Sequence, residues 1–104
     1  MYGRLVEVEG IDASKRDEVL QELRERVIPA LKEIDGFAGF ISLVDEDNRR
    51  ARSVVLWETR ESADEAERQF KSRREEMVSR MGATVRSADL YEAAIVEVAA
   101  GVRA

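Results

Sequence analysis

The stretch Ser53-Val54-Val55-Leu56-Trp57-Glu58-Thr59-Arg60-Glu61-Ser62 decides the fold, because a strand pattern runs directly into a helix start. The run from Val54 to Trp57 is apolar without interruption, which is typical of a strand that is covered on both faces. Trp57 is the only tryptophan of the chain and stands at the end of this run. We therefore expect a strand-to-helix corner with Trp57 at the mouth of a pocket.

The helix after this corner is expected to begin at Thr59 or Ser62 and to end at Gly82. The tetrapeptide Ser62-Ala63-Asp64-Glu65 has the spacing of a capping box, and its carboxylates suit the positive end of a helix dipole. The predicted apolar face comprises Ala63, Ala66, Phe70, Met77, Val78 and Met81. The basic residues of this helix are Arg68, Lys71, Arg73 and Arg74. With acidic residues between them, they are typical of a solvated face that carries i,i+4 ion pairs.

The chain before the corner predicts a strand and then a long helix. Alternation from Arg4 to Glu9 indicates strand one, with Val6 and Val8 on one face. A helix pattern follows from Ser14 to Ile34. Pro29 inside it predicts a kink or a break, because proline lacks an amide proton and crowds the preceding turn.

The remaining strands follow from turn signals and alternation. Gly36 suits the left-handed position after a helix. Strand two is expected over Phe37–Val44, with Phe40, Ser42 and Val44 on one face and Ile41 and Leu43 on the other. A charged loop over residues 45–49 joins it to strand three, Arg50–Glu58. The last strand is expected over Leu90–Val98, and Ala99–Ala104 is expected to be a tail.

The element order βαββαβ indicates an α+β, ferredoxin-like fold with a four-stranded antiparallel sheet and both helices on one face. Strands two and three nevertheless carry apolar residues on both faces. The face without helices therefore needs a cover. We expect a two-fold homodimer, packed sheet to sheet as a dimeric α/β barrel.

Composition narrows the possible functions. A chain of 104 residues predicts one domain, 1–104 with a core of about 4–98, and its net charge of −5 disfavours nucleic acid as a partner. The chain has no cysteine and no histidine. Cysteine-ligated metals, histidine-ligated haem and Ser-His-Asp catalysis are therefore excluded. No targeting segment or membrane span is predicted, so we expect a cytoplasmic protein.

Two segments resemble motifs of a known family. Ile34-Asp35-Gly36-Phe37-Ala38-Gly39-Phe40 resembles the E-P-G-C-x-G-Y turn of the antibiotic biosynthesis monooxygenase-like family. Leu56-Trp57-Glu58-Thr59-Arg60-Glu61-Ser62-Ala63 resembles its x-W-E-S-x-E-A signature. The resemblance covers about residues 4–98. It implies a small dimeric α/β barrel, in a family that includes cofactor-independent monooxygenases of phenolic polyketides, quinol oxidases and haem-degrading enzymes.

The family's site residues carry over only in part. The haem-degrading branch uses an asparagine, a tryptophan and a histidine, and the second helix here has neither tryptophan nor histidine. The polyketide-oxidising branch has an asparagine four residues before a tryptophan and a tyrosine six residues after it. Trp57 matches that tryptophan, whereas Ser53 and Ala63 occupy the other two positions.

The resemblance implies an oxygenase or oxidase of phenolic or quinol-type aromatics that needs no cofactor and no metal. In this hypothesis Trp57 stacks on the substrate, and Ser53 is the second candidate catalytic residue. Ser53, Ser42 or Arg4 would hold the substrate oxygens, with Tyr91 as a further donor. Trp57 as a core residue and Tyr91 as a barrel or interface residue are the structural alternatives.

Two other functions stay open. One is a non-catalytic dimeric barrel that binds a small ligand or serves as an accessory subunit. The other is an isomerase or cyclase, which needs a carboxylate in the pocket, supplied by Glu7 or Glu58. Such an inward carboxylate is expected to have a raised pKa.

Overall fold

The structure is a computed structural model that describes residues 1–102. Its four strands are β1 (Tyr2–Glu9), β2 (Phe37–Asp45), β3 (Arg50–Trp57) and β4 (Thr84–Glu92). Its helices are α1 (Arg16–Glu22), α2 (Ile28–Lys32) and α3 (Arg60–Arg80), with a short 3₁₀ turn at Ala13–Lys15 before α1. No helix within residues 1–102 is long and apolar enough to cross a membrane.

All four strands form one antiparallel sheet in the order β2-β3-β1-β4. This is the predicted ferredoxin-like arrangement, and the α+β fold class is confirmed. Val6 and Val8 are buried under the helices, as their alternation with Glu7 and Glu9 predicts. The helices therefore cover one face of the sheet, and we call the other the open face.

Pro29 is accommodated by a π-helical turn over Leu23–Val27, between α1 and α2. The amide of Ile28 donates to the carbonyl of Leu23, five residues earlier, so the helix is widened just before the proline. A wider turn relieves the crowding that a proline ring causes in a regular α-helix. The disruption expected from the sequence thus takes the form of a π-turn.

Thr59 caps α3, and Ser62 lies inside the first turn. The side chain of Thr59 accepts a hydrogen bond from the Ser62 amide at 3.1 Å. Ser62 is therefore not the N-cap, although the tetrapeptide from Ser62 to Glu65 has the spacing of a capping box. Gly36 adopts φ +92° and Gly82 adopts φ +70°, in agreement with their predicted roles after helices.

The prediction of the last strand over Leu90–Val98 is wrong, because β4 spans Thr84–Glu92. Its neighbour β1 decides where it ends. Glu92 pairs with Tyr2, the first residue of β1, and the Ala93 amide donates to the carbonyl of Met1 at 2.9 Å. The strand-forming residues 94–98 lie outside the sheet.

Two clusters of buried residues hold the helices on the sheet. One contains Val6, Val8, Val78 and Met81, at the end of α3. The other surrounds Trp57, which is 1% exposed, and includes Leu31 of α2 and Ala63 and Ala66 of α3. The second cluster secures the strand-to-helix corner.

The open face has an apolar half and a charged half. At one end, Gly3 of β1 pairs with Leu56 of β3. In the next row, Leu5 of β1, Val54 of β3 and Ile41 of β2 lie side by side. Toward the other end lie the ion pairs Arg52–Glu7 at 2.9 Å, Arg50–Asp45 at 2.8 Å and Arg86–Glu9 at 3.2 Å. Ile41, Leu43 and Tyr91 are exposed on this face.

Gly36→Ala is expected to destabilise the protein more than Gly82→Ala. Both positions have positive φ, which costs a non-glycine residue about 1–2 kcal/mol. A Cβ at Gly36 would also lie 2.9 Å from the Ser62 Cβ, whereas nothing lies within 4 Å at Gly82. The overlap adds about 1–3 kcal/mol. Urea unfolding followed by circular dichroism measures the difference, and equal losses in the two variants would contradict this account.

Candidate functional site

A largely apolar cleft of about 170 Å³ lies between the helices and the sheet. It exists because α1 and the π-helical turn have no fully buried residue, so this part of the helix layer stands off the sheet. Its helix-side apolar lining is Val19, Leu20, Leu23, Val27, Leu31, Phe70, Met77, Val78 and Met81. Its sheet-side apolar lining includes Val6, Val8, Phe40, Val44 and Val55.

The lining also contains polar side chains, among them Arg4, Ser42, Ser53 and Arg74. Ser42 and Ser53 are register partners on β2 and β3, and Ser53 also faces Val6 of β1. Ser42 and Val44 are exposed on the edge strand β2, so the cleft opens along this edge. Polar groups at a few points of an apolar cleft are the usual arrangement for orienting a small ligand.

Arg4 carries a positive charge whose carboxylate neighbours, Asp64 and Glu67, make no short contact with it. Its side chain is 14% exposed, and one of its Nη atoms donates to the Ala88 carbonyl at 3.2 Å. The nearest carboxylate contact is the half-exposed Asp64, whose Oδ1 lies 3.9 Å from the second Nη. A guanidinium with spare donors in a low-dielectric cleft is suited to an oxyanion.

Arg74 is held by a bidentate ion pair with Glu67. Its two Nη atoms lie 2.8 and 2.9 Å from the two carboxylate oxygens, and both side chains are mostly buried. The Arg74 guanidinium holds the pKa of Glu67 below its usual value, by hydrogen bonding and charge. The Arg74 Nε is buried and has no hydrogen-bond partner among residues 1–102.

Trp57 and Tyr91 lie away from the cleft. The Trp57 ring packs edge-on against Phe37, with 5.8 Å between ring centroids and 83° between planes. It contacts the cleft only through its neighbours Leu31, Phe40 and Val55, which line the cavity themselves. Tyr91 is 54% exposed on the open face. The cleft therefore lies away from Trp57, although a second, more polar pocket lies at the strand-to-helix corner, beside Asp35, Glu61 and Ser62. Of the five predicted site residues, Arg4, Ser42 and Ser53 line the cleft.

The carboxylates considered for an isomerase do not line the cleft. Glu7 lies on the open face, where it accepts hydrogen bonds from Arg52 at 2.9 Å and Ser87 at 3.1 Å. These bonds lower its pKa, whereas an inward carboxylate was expected to have a raised one. Glu58 is exposed at the corner. The isomerase hypothesis therefore loses both of its candidate residues.

Sequence reasoning missed Arg74 as a cleft residue. The basic run suggested a solvated face with i,i+4 partners, and Arg68 does pair with nearby Glu65 at the surface. Arg74 instead pairs with Glu67, seven residues earlier and two turns along the same side of α3. The sequence signal for this position is the i,i+7 spacing of Glu67 and Arg74, next to the apolar positions Ala66 and Phe70.

The Glu67–Arg74 pair is expected to make stability depend on pH. The folded-state pKa of Glu67 lies below its usual 4.5, so the stabilisation is complete above about pH 4.5 and is lost as pH falls through the folded-state value. Wild type should exceed Glu67→Gln by up to about 1 kcal/mol at pH 7, and by less at pH 3. Urea unfolding at both pH values tests this. Glu75→Gln, at an exposed residue of the same helix outside the ion pairs found among residues 1–102, is the control, and a pH-independent difference for Glu67→Gln would contradict the prediction.

The sequence matches no protein-family model and no curated protein, whereas its fold has many counterparts among solved structures. HapK from Hahella chejuensis superposes with a TM-score of 0.68 at 16% identity, over 97% of this chain and 100% of that one. SnoaB from Streptomyces nogalater, a cofactor-independent oxygenase, gives 0.63 at 13% identity, over 91% and 95%.

A third similar structure is the monooxygenase from the gene ActVA-Orf6 of Streptomyces coelicolor, determined with the ligand nanaomycin D. Its TM-score is 0.63 at 13% identity, and the match covers 92% of each chain. The structural neighbours of this chain thus include monooxygenases of the antibiotic biosynthesis family, at high coverage and low identity. The chain has the ferredoxin-like fold of antibiotic biosynthesis monooxygenase-like proteins, as its two motifs predicted.

Proposed function

We propose that the cleft binds a small phenolic or quinol-type aromatic, and that the protein is a cofactor-independent monooxygenase or oxidase. The observation that carries the proposal is the Arg4 guanidinium, which has spare hydrogen-bond donors in a largely apolar cleft. Such a site favours a flat, mostly apolar molecule that bears one acidic oxygen. The chemistry of SnoaB and ActVA-Orf6, which share the fold, supports the same class of reaction.

In the proposed complex the aromatic ring lies between the two layers of the protein. Phe40 and Val55 form the sheet side, and Leu23 and Val27 form the helix side. The substrate oxygen lies toward Arg4, while the hydroxyls of Ser42 and Ser53 donate to a second oxygen on the ring. An apolar cavity of about 150 Å³ takes up benzene, so one or two rings suit this cleft of about 170 Å³.

Arg4 would favour the phenolate over the phenol, because a nearby positive charge lowers the pKa of an acidic oxygen. The phenolate, an electron-rich ring, is itself the reductant of dioxygen. A C–O bond forms at the ring carbon para to the phenolate oxygen, and the distal oxygen takes up a proton to give a hydroperoxide. Loss of the hydrogen on that carbon as a proton then breaks the O–O bond. The products are a quinone and one water, so the substrate supplies all four electrons.

The apolar lining would contribute by excluding water from the reduced oxygen species. The charged residues on the rim, including Arg16, Asp45, Glu46 and Arg50, lie where the cleft meets solvent. Arg16 on α1 reaches Glu46 of the hairpin loop at 3.5 Å, so the rim is bridged across one end. The proton released by the phenol would leave through this polar rim.

The second candidate function is that of a non-catalytic barrel that binds the same class of ligand. The position of Trp57 favours it, because this side chain is in the core and cannot stack on a ligand. The carboxylates among the cleft residues, Asp45 and Glu46, lie on the rim, so a base next to the bound oxygen is absent from the described lining. Oxygen consumption separates the two candidates.

We also propose a homodimer through the open face. Leu5, Ile41, Leu43, Val54 and Leu56 give this face an apolar patch, and an exposed patch of this kind marks an interface. The rows of opposite charge at its other end would fix the orientation of the second copy. No nucleic acid or membrane is required as a partner.

Arg4→Met is expected to weaken the binding of a hydroxynaphthalene by about 10- to 100-fold, because a hydrogen bond to a charged group contributes about 1.5–3 kcal/mol. Binding of naphthalene itself should change little. Quenching of Trp57 fluorescence by through-space interaction with a ring bound on the far side of Leu31 and Val55 measures both affinities. Arg68→Met, an exposed arginine on the outer side of α3, is the matched control.

Dissolved oxygen is recorded in the same titration. Oxygen uptake that exceeds the rate without protein supports the oxygenase, provided that the uptake is lost in Ser53→Phe. The phenylalanine of that variant fills the cleft. Saturable quenching without uptake supports the binding protein. Equal affinities of wild type and Arg4→Met for the hydroxylated ligand would contradict the role of Arg4 in either function.

Leu43→Lys is expected to convert the dimer to a monomer, because it places a charge in the apolar patch of the open face. Light scattering at tens of micromolar measures the mass, and Gln69→Lys on the exposed side of α3 is the control. A monomeric wild type, or a dimeric Leu43→Lys, would contradict the sheet-to-sheet interface.

A further inference from the structure

The cleft lining contains two methionines as its oxidisable side chains. Met77, in the last turn of α3, and Met81, its C-cap residue, lie one turn apart, and both line the cleft. The tryptophan and the two tyrosines of the chain lie outside the lining that the structure describes, and the sequence has no cysteine and no histidine. An oxidant inside the cleft therefore meets these two thioethers before any other side chain of comparable reactivity.

The methionines lie toward the part of the proposed substrate that reacts with dioxygen. Met81 belongs to one buried cluster with Val6 and Val78, and Met77 is 9% exposed. Arg4, which holds the substrate oxygen in the proposed complex, lies two residues before Val6 and on the same side of β1. A ring that extends from Arg4 along β1 therefore has its far carbon near Val6. That carbon is the one to which dioxygen adds in the proposed reaction.

We propose that Met77 and Met81 reduce a hydroperoxide held in the cleft, and that each thioether becomes a methionine sulfoxide. The sulfur attacks the distal oxygen of the hydroperoxide, and the O–O bond breaks. The proximal oxygen leaves as an alkoxide and takes up the proton of the distal oxygen. The thioether thus loses two electrons and gains one oxygen atom, while the hydroperoxide becomes an alcohol.

Two physical effects favour this reaction in the cleft. A thioether packs well against an aromatic ring, so the methionines suit an aromatic hydroperoxide as a neighbour. A reactant held beside the sulfur also has an effective concentration far above its concentration in solution. These effects offset the burial of the two side chains, which on its own would slow their oxidation by a peroxide in solution.

The hydroperoxide can come from two sources with the same chemistry. One is the hydroperoxide formed by the proposed reaction, and this source rests on the proposed function. The other is an aromatic hydroperoxide that enters from the solvent, and its reduction needs only the cleft.

Oxidation of Met81 would loosen the end of α3. The Met81 carbonyl accepts a hydrogen bond from the Asp12 amide at 3.4 Å, and the Lys15 ammonium donates to the Arg80 carbonyl at 2.8 Å. The turn before α1 is therefore tied to this helix end. A sulfoxide oxygen is a polar acceptor that the surrounding valines cannot satisfy, so the oxidised protein is expected to be less stable.

Cumene hydroperoxide, which has one aromatic ring, tests the uptake of a hydroperoxide from the solvent. Hydrogen peroxide is the matched oxidant without a ring, and Met1, which is 45% exposed, is the internal reference. The rate of oxidation of Met77 or Met81 relative to Met1 should be at least about tenfold higher with cumene hydroperoxide than with hydrogen peroxide. Peptide mass spectrometry measures all three methionines. The same ratio with both oxidants would overturn the proposal.

Competition shows whether the oxidation takes place in the cleft. Saturating naphthalene should slow the oxidation of Met77 and Met81 by cumene hydroperoxide at least about threefold and leave that of Met1 unchanged, because the two aromatic molecules compete for one site. Equal slowing of all three methionines, or none, would overturn the proposal.

Met77→Leu/Met81→Leu links the modification to stability. Leucine has about the volume of methionine and is usually tolerated in its place, but it has no sulfur. Treatment with cumene hydroperoxide should lower the urea midpoint of wild type and leave that of the double variant at its untreated value. Equal losses in both proteins would overturn the proposed effect on α3.

Turnover of a hydroxynaphthalene under heavy-isotope-labelled dioxygen tests the other source, with catalase present to remove free hydrogen peroxide. The sulfoxides of Met77 and Met81 should carry the label. Selective oxidation by cumene hydroperoxide without any oxygen uptake would support the methionine site and reject the oxygenase. Oxygen uptake together with the same ratio for both added peroxides would support the oxygenase and reject the methionine site.

Discussion

The structure depends on the contact between its two motif segments. The Glu58 amide donates to the Gly36 carbonyl at 2.8 Å, and the rings of Phe37 and Trp57 pack edge to face directly beside this bond. The positive φ of Gly36 aims the carbonyl, and the absence of a side chain leaves room for Ser62. The helix end, the start of β2 and the start of α3 are thereby fixed to one another, and the position of the helix layer over the sheet follows.

The cleft is a consequence of where this contact lies. The Trp57 cluster secures α2 and the first half of α3, and the Val6–Val78 cluster secures the end of α3. Between them, α1 and the π-helical turn have no buried side chain, so they stand off the sheet and leave an apolar space. The π-turn at Pro29 widens the helix on this side. The packing is thus tight at the corner and looser around the cleft.

The two faces of the sheet carry different kinds of side chain. The helix face carries the uncharged serines and the Arg4 guanidinium toward the cleft, whereas the open face carries an apolar patch and a set of ion pairs. The strand edges are likewise unequal, because exposed apolar residues follow β4, whereas the β2 edge has a register irregularity between Phe37 and Gly39. One copy of the chain therefore leaves the open face of the sheet without a helix layer.

The sequence by itself determined the element order βαββαβ, the helix ends at Gly36 and Gly82, the buried face of β1, and the ferredoxin-like fold, because these follow from local periodicity and turn chemistry. It predicted that Arg4, Ser42 and Ser53 belong to one site. Tertiary structure alone decided the rest. Trp57 lies behind the cleft because the corner packs around it, and Arg74 faces the cleft because Glu67 holds it. β4 stops at Glu92, which pairs with Tyr2, the first residue of β1. A local sequence pattern does not show which residues become neighbours in the folded chain. Each of these outcomes depends on such a tertiary neighbour.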